Sequence, residues 1–256
     1  MKSIDINCDM GEGFGAYRMG DDMSMLQVVS TVNLACGFHA GDPSIMAHIC
    51  TEAKRLGVAV GAHPGYPDLW GFGRRDMPYT LPQLKELLAY QIGAAMGMAR
   101  FAGHRLTHVK AHGAMGHLVS DDPSASAALV DVIESIDSGL ILSVMASSEL
   151  ERAGAASGLR LAHEIYADRA YLDDGRLMPR GQPGAVIHDA GESVERVLNM
   201  VEEQSIISYT GKRIPVSIDT VCVHGDTEGA VSIAKRIRNA LEHAGYRIAP
   251  YASTRP

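Results

Sequence analysis

Asp9, His39, His63, Lys110, His112, His224 and Asp226 share one property: each lies at or just beyond the end of a short β-rich run. A carboxylate, an ammonium and several imidazoles gathered in one place can hold a cation, move protons near neutral pH, or bind an anionic substrate. Of the eleven histidines, four (His39, His63, His112 and His224) fall within a residue or two of different expected strand ends, and that clustering singles them out. His48, His104, His188 and His243 read as surface or helix-end residues. His108, His117 and His163 fit either role.

Side chains alternate across a strand, so Asp5, Asn7 and Asp9 share one face, as do Lys110 and His112, and likewise Glu164, Tyr166 and Asp168. Two chemistries fit such a set. In one, Asp9, His39 and His63 bind a divalent metal, Zn²⁺ or another such as Mg²⁺, leaving positions open for water and substrate. In the other there is no metal: Lys110 stabilises an oxyanion or binds a substrate carboxylate, and Asp9 or a histidine such as His112 activates water. Arg74 and Arg75, in a loop dense in Gly, Pro and aromatics, could clamp a carboxylate or phosphate. Asn7, His224 and Asp226 complete the expected substrate contacts.

These groups need a scaffold that brings several strand ends together. β-rich runs alternate with helical stretches along almost the whole chain, the pattern of a parallel sheet or (β/α) barrel, in which catalytic groups sit at the carboxyl ends of the strands. Seven strands are expected, at 3–9, 31–37, 58–63, 105–112, 139–146, 160–168 and 219–225, with 246–250 as an eighth candidate. Asp42-Pro43 opens a helix that Gly57 closes, Thr80-Leu81-Pro82 opens one running to Gly103, and Asp121-Asp122-Pro123 opens a third. Further helices are expected near 147–157, 191–208 and 227–244. Segments 64–79 and 169–190 are long for βα connections and read as lid or binding loops. With no repeat or linker, residues 1–256 read as a single α/β-barrel domain.

Composition narrows the function. At 46% apolar and 21% charged residues the chain is ordinary for a globular protein, and a net charge of −7 without a Lys/Arg stripe argues against nucleic acid. The N-terminus has Asp5 and Asp9 where a signal peptide needs an apolar core, and no run approaches the roughly 18 apolar residues of a membrane span. Cys8, Cys36, Cys50 and Cys222 contain no C-x-x-C pair and suit a reducing compartment, so a cytoplasmic protein is expected. The run Gly11-Glu12-Gly13-Phe14-Gly15 lacks dinucleotide-binding spacing, and no G-x-x-x-x-G-K-[ST] phosphate loop occurs.

The segments DINCDMGEGFG (5–15), VNLACGFHAGDP (32–43), GAHPGYPDLWGFGRR (61–75), EIYADRAYLDDGRLMPR (164–180) and CVHGDT (222–227) resemble the LamB/YcsF family, in order and over nearly the whole chain. The resemblance implies a seven-stranded barrel of the glycoside hydrolase/deacetylase type. It also implies one component of an ATP-dependent cyclic amide hydrolase, a 5-oxoprolinase that cleaves 5-oxo-L-proline to L-glutamate together with partner subunits B and C. ATP handling by those partners would explain the missing nucleotide motif. The alternative on the same residues is a metal-dependent, deacetylase-like hydrolase acting on a carbohydrate or another amide. One departure stands out: where the family shows K-P-H-G-A-L-Y, this chain has Lys110-Ala111-His112-Gly113-Ala114-Met115-Gly116, which predicts a more flexible, less polar loop after the fourth strand. Asp226-Thr227-Glu228 replaces Asp-Thr-Pro.

Overall fold

Strand β1 (Ser3–Met10) divides its side chains by parity. Ile4, Ile6, Cys8 and Met10 join the apolar layer, while Asp5, Asn7 and Asp9 bond to residues of other strands across a polar interior. In this computed structural model, which describes residues 2–225 and 229–253, the chain continues through α1 (Asp22–Leu26), β2 (Thr31–Ala35), α2 (Pro43–Leu56), β3 (Ala59–His63), α3 (Leu81–Phe101), β4 (Leu106–Val109), α4 (Gly113–Asp121) and α5 (Pro123–Asp137). It then runs through β5 (Ile141–Met145), α6 (Glu149–Ser157), β6 (Leu161–Tyr166), α7 (Ala190–Glu203), β7 (Ser205–Ile207), β8 (Arg213–Pro215), β9 (Thr220–Cys222), α8 (Ala230–His243) and β10 (Arg247–Ile248).

Neighbouring strands pair in parallel in the order β1-β2-β3-β4-β5-β6-β9, and β9 returns to β1 with Asp5 opposite Thr220 and Asn7 opposite Cys222. The result is the closed seven-stranded parallel barrel expected from the sequence. The eighth candidate strand is present as β10, a two-residue addition to the start of β1 rather than a barrel stave. Helices wrap the outside: α3 buries Leu84, Leu88, Ile92 and Ala95 against the apolar layer, where truncating one Leu to Ala would cost about 2–5 kcal/mol.

The helix starts follow their sequence signals. Asp42 accepts from the Ser44 and Ile45 amides ahead of Pro43, Gly57 ends α2 at φ 73°, Thr80 and Gln83 form a capping box, and Asp122 caps α5. Three elements differ from expectation. The helix expected over 191–208 stops at Glu203, where Gln204 turns left-handed (φ 48°) and leads into the antiparallel β7–β8 hairpin. The segment after β4, expected as a loop, enters α4 directly at Gly113. The short α1 carried no periodic signal.

Polar residues fill the barrel. Asp5 takes bonds from Ser30, Thr31 and Thr220 at its base, and burial raises its carboxyl to about 6 despite those donors. Above it, His108 reaches Asn33 Oδ1 at 2.9 Å through space left by Gly61, where a Cβ would lie 2.1 Å from the His108 ring. Asn33 in turn donates to Asn7 and Asp9.

Candidate active site

A cavity of about 440 Å³ opens at the carboxyl ends of the strands, lined by Asp9, Glu12, His63, Lys110, His112, Glu164 and His224 among others. Lys110 follows β4 and spends its three protons inside: Nζ lies 2.9 Å from Asp9 Oδ1, 2.9 Å from Glu164 Oε1 and 3.2 Å from Cys222 Sγ. Burial alone would lower this ammonium, but the two carboxylates outweigh it and hold Lys110 charged, well above its ordinary value. Burial likewise would raise Asp9, yet His63 and Lys110 draw it well below the usual carboxylate range. Asp9 Oδ1 is saturated by Lys110 and Asn33. Oδ2 turns to the cavity, 3.4 Å from His63 Nε2 and 4.0 Å from His224 Nε2.

On one wall, Asp168 beyond β6 holds His224 beyond β9, with Nδ1 at 2.8 and 2.9 Å from the two carboxylate oxygens. Burial would lower His224, and Asp168 more than reverses this, so its pKa is raised. Nε2 faces the cavity, 3.4 Å from Arg180 Nη2. This is the geometry in which a carboxylate fixes a histidine tautomer and leaves the second nitrogen to exchange protons.

On the opposite wall Glu12, His39, His63 and His112 converge, all buried, each offering a ligand atom within 4.8 Å of the others; this set could hold a metal ion. Burial pushes His39 and His112 well below the ordinary imidazole range, with neighbouring imidazoles adding to it. The aromatic loop 64–79 covers them. Gly73 (φ 62°) lies so close that a Cβ there would sit 2.7 Å from His39 Cβ.

Of the residues picked from the sequence, Asp9, His63, Lys110, His112, His224 and Arg74 line this cavity. His39 stacks on His112 directly behind it. Asn7 lies beneath, its amide donating to Glu164 and Thr220. Arg75 is held by Asp68 outside the cavity lining, with its side chain largely exposed. Asp226 lies outside the described residues. Glu12, Glu164, Asp168 and Arg180 were not picked as site residues. Only the alternation Glu164-x-Tyr166-x-Asp168 and the long loop holding Arg180 gave a signal for them.

A profile of the LamB/YcsF family matches residues 4–256. A Rhodopseudomonas palustris protein named as the A subunit of 5-oxoprolinase is 53% identical over 252 residues, covering 98% of this chain and 99% of that one. A Gluconobacter oxydans protein of the same name is 48% identical over 247 residues, covering 96% and 97%. Among solved structures, the lactam utilization protein from Thermus thermophilus is 40% identical, with a TM-score of 0.91, covering 97% of this chain and 99% of that one.

Proposed function

The chain belongs to the LamB/YcsF family, and from that membership and the chemistry of its barrel mouth we propose that it is the A subunit of an ATP-dependent 5-oxoprolinase. In this reading it opens the lactam of 5-oxo-L-proline to L-glutamate together with subunits B and C, as one catalytic domain working in the cytoplasm. The observation that carries the reading is a single cavity faced by a Lys110-held Asp9 and an Asp168-held His224. Four buried, unpaired cysteines support a reducing compartment. No helix among the described residues is long and apolar enough to cross a membrane.

A five-membered lactam is a poor electrophile, and phosphorylating its amide oxygen with ATP makes the ring carbon open to water. Water adds at that carbon, the C–N bond breaks to leave an acyl phosphate, and a second water releases inorganic phosphate and the new carboxylate. The site must accept protons from water, return one to the departing nitrogen, and hold the substrate carboxylate. His224 suits the first two tasks, because Asp168 fixes the proton on Nδ1 and leaves Nε2 open to the cavity. Lys110, fully committed to Asp9, Glu164 and Cys222, helps to keep Asp9 ionised and holds both carboxylates in place. The substrate carboxylate therefore falls to Arg74 and Arg180, whose side chains line the mouth. His112 Nε2 is engaged by the Phe72 carbonyl at 2.8 Å, which directs this ring to the wall rather than to water activation. ATP is handled with the partner subunits, since the chain has no phosphate-loop motif of its own.

The rival, a metal-dependent hydrolase acting unaided on a carbohydrate or another amide, draws on the Glu12–His39–His63–His112 wall. Glutamate release from 5-oxoproline, measured with this chain alone and with subunits B and C, separates the two. Release confined to the ATP-supplied, three-component mixture is expected. Amide hydrolysis by the chain alone with added metal would favour the rival.

A further inference from the structure

The hydrogen bonds of the cavity's aromatic-loop wall leave imidazole nitrogens without donors or acceptors of their own. His63 Nδ1 lies 2.7 Å from the Lys110 carbonyl and His112 Nε2 lies 2.8 Å from the Phe72 carbonyl. A carbonyl only accepts, so each imidazole donates its proton there. In the neutral form of each ring the remaining nitrogens, His63 Nε2 and His112 Nδ1, carry lone pairs, and they face each other at 3.0 Å. Two lone pairs repel at that separation, and a divalent cation held beside both nitrogens turns the repulsion into ligation. The Phe72 carbonyl is aimed by a backbone at φ 55°, a left-handed conformation costly for a non-glycine residue and common where a site is being shaped.

His39 adds a second, independent sign. It is 1% exposed, yet neither ring nitrogen has a hydrogen-bond partner, an omission that in a native interior calls for an ion or water. Its Nε2 lies 3.6 Å from Glu12 Oε1, and His112 Nδ1 lies 3.7 Å from the same oxygen. Zn–N bonds of about 2.0–2.1 Å put tetrahedral ligand atoms roughly 3.3–3.4 Å apart. The separations of 3.0, 3.6 and 3.7 Å bracket that spacing.

We propose that Glu12, His39, His63 and His112 form a binding site for one divalent ion of the zinc class, with His63 Nε2 and His112 Nδ1 as ligand atoms. Nitrogen-rich donors select Zn²⁺, Co²⁺ or a similar borderline ion over Mg²⁺, which takes oxygen. The carbonyls of Lys110 and Phe72 are the outer partners that orient ligating histidines. Asp9 spends Oδ1 on Lys110 and Asn33 and brings Oδ2 to 3.4 Å from His63 Nε2, but it does not share the mutual spacing that joins the other four, so it stands at the edge of the site.

The proposal stands on this cluster alone and is tested without lactam, ATP or partner subunits, so its outcome is separate from that of the lactam reading. The chelator-stripped full chain is titrated with Zn²⁺ and with Co²⁺, following metal content, the visible Co²⁺ bands and histidine ¹⁵N shifts. One ion per chain is expected, with His63 Nε2 and His112 Nδ1 shifting on Zn²⁺ addition. Glu12→Gln and His112→Asn should each weaken binding by more than the roughly 10–100-fold that outer partners typically cost, and Asp9→Asn by less than either. Failure of the folded wild-type chain to take up an ion, absence of the ¹⁵N shifts, or a loss on Asp9→Asn exceeding that on Glu12→Gln overturns the proposal. The wild-type titration and shifts decide the matter even where a variant does not fold.

Discussion

Asp168 grips His224 through both carboxylate oxygens, at 2.8 and 2.9 Å from Nδ1, joining the ends of β6 and β9. If His224 exchanges the protons of ring opening, Asp168→Asn keeps the shape but permits the wrong tautomer. By analogy with carboxylate–histidine pairs in general, kcat should fall by roughly 10²–10⁴-fold with KM little changed. Steady-state kinetics in the three-component mixture checks this.

The same pair sets a pH signature. Asp168 raises His224 above its ordinary value, and a base works only when deprotonated, so activity should rise with pH through a limb lying above 6.5. Removing the Asp168 charge lowers the His224 pKa, so residual activity of Asp168→Asn should show this limb displaced toward acid. A limb that stays in place would separate it from His224.

The two neighbouring arginines should behave oppositely. Arg74 lines the cavity, whereas Arg75 is turned to Asp68. Arg74→Ala and Arg180→Ala should raise the KM for 5-oxoproline about tenfold or more, the loss of one charge-assisted contact. Arg75→Ala should leave it nearly unchanged, as substrate titrations of the three variants will report.

His108 gives an acid-stability prediction. Burial lowers it to about 3, so between about 3 and 6.5 the unfolded chain binds more protons than the folded one, and stability rises with pH across that window. Asp5, raised to about 6, binds more protons when folded between 3.8 and 6 and acts in the opposite direction there. Denaturant unfolding at several pH values should show a weaker gain in stability with rising pH in His108→Gln than in wild type.

Gly61 is needed by that same ring. A Cβ at 61 would meet His108 at 2.1 Å, so Gly61→Ala should destabilise by about 1–3 kcal/mol or more. At roughly 2–4 °C per kcal/mol for a chain of this size, the unfolding temperature should drop by several degrees.

Much of this was legible in the sequence because strand parity and helix caps are local. Asp5-x-Asn7-x-Asp9 announced an inward polar face, and Asp42-Pro43 and Thr80-x-Pro82 marked helix starts, where the structure has them. Glu12 was hidden because it follows the strand, in a turn set by Gly11 (φ 71°), and meets its histidines only when the carboxyl ends of β1, β2, β3 and β4 converge. The Asp168–His224 pairing joins residues 56 apart in the chain, a relation that only barrel closure creates. The β7–β8 hairpin escaped notice because the apolar pattern of α7 runs on past Gln204, whose left-handed turn ends the helix without a glycine.

In the proposed function, lactam opening takes place at this chain's barrel mouth. ATP-dependent glutamate release from 5-oxoproline, in mixtures of subunits B and C with wild-type, Asp9→Asn or Lys110→Ala versions of this chain, tests it most directly. Release is expected with the wild-type chain, none without it, and near-complete loss in both variants while they remain folded and assembled. Normal ATP-coupled turnover in those variants, or release by B and C alone, would contradict it.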